Sequence, residues 1–289
     1  MILIIGANGR VGSSVVTHLV AAGEHPRVMV RDVDAAQKRF GPNIDVVAGD
    51  ITLHETLAPA FEGCDRVFLC TPVDPGQVVA QGNVVRAAKA ASAYIIKVSG
   101  LGTTAGSRVD SGRWHAETED EIRAAGLDWT FLHPLFFHQN LSFQWAEAQR
   151  SGVLRSAVTE HPIAMINADD IGAVAAALLQ RPERGKTFVL TESRAYTYGD
   201  VADMFSEVMG RPVRFEAQSR DEVAAALRKS GQPGWHVDLV LQFNDAFNAG
   251  LGNVTTTAVE DILHRPPMTL RDHLMRHGST ITGRNPFPS

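Results

Sequence analysis

The sequence predicts an α/β fold, a Rossmann-type doubly wound parallel sheet with a smaller helix-rich C-terminal lobe. Two observations support this prediction. Short apolar runs alternate with amphipathic stretches as far as about Pro134, which is the order that parallel strand–helix–strand units require. A glycine-rich turn also follows the first apolar run without a gap, and a helix-compatible segment follows the turn.

The glycine-rich turn at residues 6–12 predicts a dinucleotide-binding site. Gly6 would allow a tight turn, Gly9 would let the backbone approach a pyrophosphate, and Gly12 would let the helix pack closely on the strand. The first N–H groups of the helix would then face the phosphates. An ordinary glycine-rich turn is the alternative. The predicted cofactor contacts here are Gly6, Asn8, Gly9, Arg10, Val11 and Gly12.

The remaining elements follow in order along the chain. Apolar runs predict strands at 2–5, 28–30, 45–48, 67–70, 94–98 and 129–132. Amphipathic spacing predicts helices at 13–22, 53–61, 77–91 and 116–125, and later at 169–179, 198–209, 221–229 and 239–249. A run at 187–190 predicts a strand that returns to the sheet. We therefore expect an NAD(P)-binding domain over 1–150, a substrate-binding lobe over 151–289, and a loose tail from Gly278 onward.

Composition excludes several classes of protein. The 289 residues are 44% hydrophobic and 20% charged, with a net charge of −5 and no basic stripe, which argues against nucleic-acid binding. No apolar run approaches the roughly 20 residues of a membrane span, and no signal peptide is indicated. Two cysteines, Cys64 and Cys70, suggest a reducing compartment. We expect a soluble, cytoplasmic protein without a membrane partner.

The end of the second strand predicts which nicotinamide cofactor is bound. Arg31 stands about 20 residues beyond the glycine turn, where NAD sites usually carry a carboxylate for the ribose 2′-hydroxyl. A guanidinium there suits the 2′-phosphate of NADP, and Arg10 is a second cation for it. Asp32 would favour NAD if its side chain turned inward. We predict NADP(H) in preference to NAD(H), with a solvated Arg31 as the alternative.

Further cofactor contacts are predicted at the carboxyl ends of later strands, where open α/β sheets bind ligands. Asp50 would accept a hydrogen bond from the adenine amino group, and capping of the next helix is nearly as good an interpretation. The residues predicted on this basis are Asp50, Ile51, Thr71, Pro72, Ser99 and Pro134.

Several stretches together resemble the short-chain dehydrogenase/reductase superfamily, in particular its NmrA-like branch. They are residues 6–12, Arg31, Gly49-Asp50, residues 115–119, residues 126–130, residues 134–140 and Asp170-Ile171-Gly172. The branch includes NAD(P)H:quinone and dye reductases. The resemblance implies hydride transfer from NAD(P)H to a quinone or similar conjugated carbonyl. It also implies an alternative, a non-catalytic NADP(H)-binding redox sensor that contacts a regulatory protein.

The catalytic pair that the superfamily usually carries, a Tyr with a Lys four residues later, is absent. The positions four residues after Tyr94, Tyr196 and Tyr198 hold Val98, Asp200 and Ala202. Alcohol–ketone chemistry by that pair is therefore excluded. Quinones tolerate a weaker catalyst, because reduction restores aromaticity and the hydroquinone oxygen is less basic than an alkoxide.

His115 and Glu119 stand approximately where that pair would lie, one helical turn apart. The carboxylate would orient or charge the imidazole, which would donate a proton to the acceptor oxygen. An exposed His–Glu pair without a role is the equal alternative. No third ligand is placed nearby, so we expect no metal.

Three residues after the sixth strand are predicted substrate contacts: Phe136, Phe137 and His138. The two rings would form the face of a flat apolar pocket, although a role in the core is the better interpretation for either ring alone. The predicted partner is therefore a small apolar or aromatic molecule. A homodimer is a further possibility that the sequence leaves open.

Overall fold

The computed structural model describes residues 1–42 and 44–278, so that nearly all of the predicted tail lies outside the described residues. Its strands are β1 (Ile2–Ile5), β2 (Arg27–Val30), β3 (Asp45–Ala48), β4 (Arg66–Leu69), β5 (Tyr94–Val98), β6 (Trp129–Pro134), β7 (Phe136–Phe137), β8 (Val153–Ser156), β9 (Ile163–Ile166), β10 (Lys186–Leu190), β11 (Ala195–Tyr196) and β12 (Arg214–Ala217). Its helices are α1 (Arg10–Ala21), α2 (Val33–Phe40), α3 (Leu57–Phe61), α4 (Gln77–Ala90), α5 (Asp110–Ala124), α6 (Ser142–Ser151), α7 (Ala168–Gln180), α8 (Tyr198–Met209), α9 (Arg220–Lys229), α10 (Gly234–Asn248), α11 (Ala258–Leu263) and α12 (Leu270–His277).

The described chain divides into two compact units that alternate along the sequence. The first comprises Met1–Gly106, Ser111–His133 and Ala168–Val189, and the second comprises Ser107–Asp110, Pro134–Asn167 and the described part of Leu190–Ser289. Helix α7 and most of β10 thus belong to the first unit, although they follow residue 150. The single division at residue 150 stays a prediction.

The first unit contains the seven-stranded sheet, in the order β10-β6-β5-β4-β1-β2-β3. Pairings from β6 through to β3 are parallel, and the strand order reverses on either side of β1, which confirms the doubly wound α/β prediction. One layer of the core packs apolar strand residues such as Leu3, Ile95 and Phe131 against helices α3 and α4. The carboxyl ends of the parallel strands therefore share one edge of the sheet.

Two differences from the predicted elements affect the site. Helix α2 is not predicted because only Ala36 among its residues is buried, so that its apolar periodicity is weak. Helix α5 begins at Asp110 instead of 116, which places His115 inside the helix. The missed first turn is rich in Gly, Ser and charged residues, whose local propensity does not favour a helix.

The second unit contains more strand than its sequence predicts. It has a three-stranded sheet in the order β11-β9-β7 and a two-stranded sheet of β12 and β8. Each of these strands has only two to four residues, too few for a clear alternating pattern. Its core includes Trp145 packed edge-on against Phe205, with ring centroids 4.8 Å apart. No described helix combines the length and the apolar character that crossing a membrane requires.

Gly172 on α7 gives a stability prediction for the first unit. A Cβ at this position would overlap the side chain of Ser14 on α1, so the two helices pack without room for a side chain here. We expect Gly172→Ala to lower the free energy of unfolding by about 1–3 kcal/mol, measured by urea denaturation. Gly234→Ala is the control, because its Cβ would meet nothing within 4 Å. Equal effects of the two substitutions would contradict the close packing.

Candidate active site

The turn after β1 has a shape that requires glycine at two positions. Gly6 has a φ of +86°, and a Cβ on it would overlap the carbonyl oxygen of Cys70 at the end of β4. A Cβ on Gly12 would overlap the carbonyl oxygen of Gly6. A Cβ on Gly9 would lie 3.3 Å from that oxygen, a contact that small shifts relieve. Gly6 and Gly12 are therefore required by the fold, whereas the fold alone does not require Gly9.

The N-terminus of α1 suits an anion. Gly9 is the N-cap and supplies no side-chain hydrogen bond, and the first turn carries the cation Arg10 and no acidic residue. The exposed Asn8 accepts a hydrogen bond on its carbonyl oxygen from the guanidinium of Arg39, 2.9 Å away. The side chain of Val11 is buried, so its predicted cofactor contact would be made by the backbone N–H. Arg39 lies on the helix that the sequence does not predict, and it adds positive charge beside this turn.

The residues after β2 leave a guanidinium free for a phosphate. Arg31 is exposed and makes no hydrogen bond to any described residue. The carboxylate of Asp32 is engaged as the N-cap of α2, where it accepts from the Ala35 N–H at 2.9 Å. Hydrogen bonds from Thr52 lower the pKa of Asp50, and the positive charge of Arg31 lowers it further. Asp50 is thus held in a local turn by Thr52 and stays ionised.

The other strand-end residues are held by polar contacts within the first unit. Thr71 Oγ1 accepts from Gln81 Nε2 at 2.7 Å and donates to the carbonyl of the exposed Pro72 at 3.2 Å. The carbonyl of Ile51 accepts from Asn83 Nδ2 at 2.7 Å. Pro134 belongs to the second unit, and its predicted cofactor contact stays a prediction.

A buried polar cluster surrounds the end of β5. Lys97 has no exposed surface, and its Nζ lies 2.8 Å from Ser99 Oγ and 2.9 Å from His115 Nδ1. Gln77 Nε2 lies 3.2 Å from the same Nδ1. Nε2 of His115 makes no hydrogen bond to a described residue, yet it is not among the fully buried atoms. The imidazole is therefore anchored through one nitrogen and presents the other.

Glu119 does not orient His115, which corrects the prediction from their spacing. Its Oε1 instead accepts from Ser99 Oγ at 2.6 Å and contacts His133 Nε2 at 2.8 Å. Its Oε2 contacts Arg123 at 3.2 Å. Both His115 and Glu119 are buried, so the exposed pair of the alternative interpretation is not present either. The carboxylate lies on the same face of α5 but turns toward β5 and β6.

The protonation of this cluster follows from its burial. Burial lowers the pKa of Lys97 to about 7, although the nearby Glu119 and Cys70 act in the opposite direction. Burial also lowers the pKa of His115 well below its usual value, and the charge of Lys97 adds to this effect. Burial alone would raise the pKa of Glu119, but the hydrogen bonds from His133 and Ser99 lower it overall. At neutral pH the imidazole is neutral and the carboxylate is ionised.

The predicted substrate residues occupy three different environments in the second unit. Phe136 packs edge-on against Phe247 with ring centroids 6.2 Å apart, so it belongs to the margin of the core. Phe137 is half-buried. His138 is 1% exposed, and its Nε2 lies 2.9 Å from Glu192 Oε1. A ring enclosed in this way does not fit the prediction that His138 contacts a substrate.

The sequence prediction missed four site residues: Arg39, Gln77, Lys97 and His133. Lys97 is the one charged side chain within the apolar run 94–98, and strands of a parallel sheet are buried on both faces. A charge at that place is a signal for a partnered functional group. His133 offers no such signal, because its partner depends on how β6 lies beside β5.

Comparison with known proteins gives a consistent result. The profile of the NmrA-like family matches residues 1–248. The NAD(P)H azoreductase of Xenophilus azovorans is 33% identical over 235 residues, which are 81% of this chain and 82% of that protein.

Two solved structures have the same fold. The NADPH complex of the NADPH-dependent quinone oxidoreductase from Escherichia coli superimposes with a TM-score of 0.89 at 25% identity, covering 97% of this chain and 100% of that one. The NADP(H) complex of the Citrobacter triphenylmethane reductase has a TM-score of 0.85 at 23% identity, covering 95% and 99%. At its level of identity, the second likeness shows the fold alone.

The buried ammonium of Lys97 predicts how stability depends on pH. Between its folded pKa of about 7 and its unfolded value of 10.5, the unfolded chain binds a proton that the folded chain releases. Stability therefore rises with pH in this window. We expect Lys97→Met to have the larger free energy of unfolding at pH 7. Between pH 7 and 9 the free energy of unfolding of the wild type should rise by about 2 kcal/mol relative to that of the variant. Denaturant unfolding at both pH values measures this, and a constant difference would refute it.

Proposed function

Because the chain belongs to the NmrA-like family, we propose that it is an NADPH-dependent reductase of quinones or similar conjugated carbonyls that works without a Tyr–Lys pair. Two observations carry the proposal. One is the glycine cradle, residues 6–12 after β1, and the other is the buried imidazole of His115, which is held through Nδ1 by Lys97 on β5 of the same sheet. The cradle supplies a site for a dinucleotide pyrophosphate, and His115 supplies a polar group for an acceptor oxygen. The quinone oxidoreductase and azoreductase relatives support this class of acceptor.

The residues of the first unit fit the cofactor. Gly6 and Gly12 allow a tight turn that a Cβ at either position would disrupt, and the start of α1 lacks both a capping side chain and an acid. Arg31 would hold the 2′-phosphate, with Arg10 and Arg39 adding positive charge. Asp32 would not compete, because it caps α2. When bound, NADPH supplies a hydride to the acceptor.

His115 would hydrogen-bond the oxygen of the acceptor through Nε2. Its Nδ1 faces Lys97 and Gln77, so that Nε2 is the nitrogen left for a ligand. A quinone suits a neutral imidazole donor, because the oxygen that develops negative charge is only weakly basic. Contact of Phe137, which belongs to the second unit, with an acceptor stays a prediction from the sequence.

A panel of acceptors tests the proposed function. Purified protein is mixed with NADPH and a set of quinones, azo dyes and enones, and loss of the reduced nicotinamide absorbance is followed. We expect turnover well above the rate without protein for at least the quinones. Rates equal to the blank for every acceptor would refute the proposal, and tight nucleotide binding without turnover would favour the redox sensor.

Arg31→Ala tests how the cofactor is distinguished. Loss of a charge-assisted hydrogen bond costs about 1.5–3 kcal/mol, so we expect the affinity for NADPH to fall roughly 10- to 100-fold. The affinity for NADH should change little. Isothermal titration calorimetry measures both, with Arg181→Ala as an exposed control beyond the end of α7. Equal losses for the two cofactors would mean that other residues bind the 2′-phosphate.

A further inference from the structure

The proposed reaction needs a proton that His115 alone does not supply. Burial and the charge of Lys97 keep the pKa of this imidazole low, so the imidazolium is scarce near neutral pH. A neutral ring that gave up its Nε2 proton without replacement would become an anion. An anion so deeply buried is strongly disfavoured. The second nitrogen must therefore gain a proton as the first one loses its own.

The contact at Nδ1 provides that proton. A charged lysine is a donor with no acceptor capacity, so Nδ1 accepts from Lys97 Nζ at 2.9 Å and Nε2 carries the hydrogen. The single hydroxyl proton of Ser99 is donated to Glu119 Oε1 at 2.6 Å. Ser99 Oγ is therefore an acceptor for a second Nζ proton at 2.8 Å. Gln77 Nε2 also lies 3.2 Å from Nδ1, so Lys97 at 2.9 Å is the nearer of two donors that share this nitrogen. The bonds from Lys97 to Ser99 and from Ser99 to Glu119 each have one consistent direction.

We propose that Lys97 supplies the proton for reduction of the acceptor, acting through His115. As the Nε2–H bond breaks and an O–H bond forms on the acceptor, a proton moves from Lys97 Nζ to His115 Nδ1. The imidazole ends neutral, Lys97 becomes a neutral amine, and the acceptor has gained one proton to match the hydride. Lys97 touches no substrate in this scheme and is a positioning residue. The inference rests on the proposed function.

The surroundings of Lys97 allow it to be recharged. The titratable groups that face it are Cys70 at the end of β4, His115 and Glu119 on α5, and, through Glu119, His133 on β6. Ser99 and Glu119 link the amine to His133, whose side chain is 11% exposed. After the product leaves, His115 Nε2 takes a proton from solvent and Nδ1 returns its proton to Lys97 Nζ, which restores both groups to their starting states. A lysine with a pKa of about 7 both holds and releases a proton near neutral pH.

Nuclear magnetic resonance tests the hydrogen bond between Lys97 and His115, and the protonation of both groups, without any turnover. The chain has five lysines, so selective labelling at the side-chain amine resolves each titration, and Lys97→Met identifies the Lys97 signal. We expect Lys97 to titrate far below the other four. The imidazole of His115, assigned with His115→Gln, should have Nδ1 bare and Nε2 protonated at pH 6. Titration of Lys97 together with the other lysines, or a protonated Nδ1 with a bare Nε2, would overturn the proposal.

Kinetics test the role of the coupling in the reaction. We expect kcat of Lys97→Met to fall about 100-fold with an enone that receives the hydride at its carbonyl carbon, because the product oxygen is then an alkoxide. With a quinone, whose product oxygen is far less basic, the fall should be less than tenfold. The wild-type kcat/KM with the enone should fall with rising pH through an apparent pKa near 7, and this decrease should be absent in Lys97→Met. Adding Lys97→Met to His115→Gln should cause no further loss. Lys89→Met, on the exposed face of α4, is the matched control.

The outcomes separate the two proposals. Absence of turnover with every acceptor overturns the proposed function and the relay with it. If Lys97→Met lowers kcat by the same factor with the quinone and the enone, and its pH profile matches that of the wild type, the proposed proton transfer from Lys97 through His115 is overturned. The proposed reductase function would then remain. Unchanged NADPH affinity and near-ultraviolet circular dichroism show that the variant is folded. Should Lys97→Met fail to fold, the wild-type titrations and pH profile still decide the question.

Discussion

The burial of a lysine ammonium inside the central sheet constrains the site more than any other single feature. Lys97 has no exposed surface, so its charge is tolerated only with hydrogen-bond partners or with loss of its proton. Both solutions are present, because Ser99 and His115 accept its hydrogen bonds and its pKa falls to about 7. The partners come from the end of β5 and from α5. The buried ammonium of Lys97, whose desolvation costs free energy, thereby determines where the imidazole of His115 lies and which nitrogen is left for a ligand.

The cofactor cradle and this polar cluster both arise from the arrangement of parallel strands. The strand order reverses at β1, and the turn after β1 packs against the carbonyl of Cys70 after β4. The next strand beyond β4 is β5, which carries Lys97 and ends at Ser99. Sequence segments about 90 residues apart therefore meet at the same edge of one sheet. The chain belongs to the NmrA-like family, and a solved structure of the same fold is an NADPH complex.

Local features were predictable from the sequence, and contacts between elements were not. The need for Gly6 and Gly12 follows from one strand, one turn and one helix, and the structure confirms the element order around them. Helix α2 was not predicted because it buries almost none of its side chains. The direction of the Asp32 side chain could not be predicted either, because its role as the N-cap depends on the presence of this helix. Glu119 contacts His133 instead of His115, and this contact depends on the register of β5 with β6. No periodicity within α5 contains that information.

A crystal structure of the complex with NADPH and a non-reactive quinone analogue would test the account most directly. We expect an oxygen of the analogue to lie within about 2.6–3.2 Å of His115 Nε2. The ring of the analogue should lie beside the nicotinamide, and Lys97 should still be hydrogen-bonded to Nδ1. An analogue oxygen bound by other groups, with the imidazole of His115 out of its reach, would contradict it.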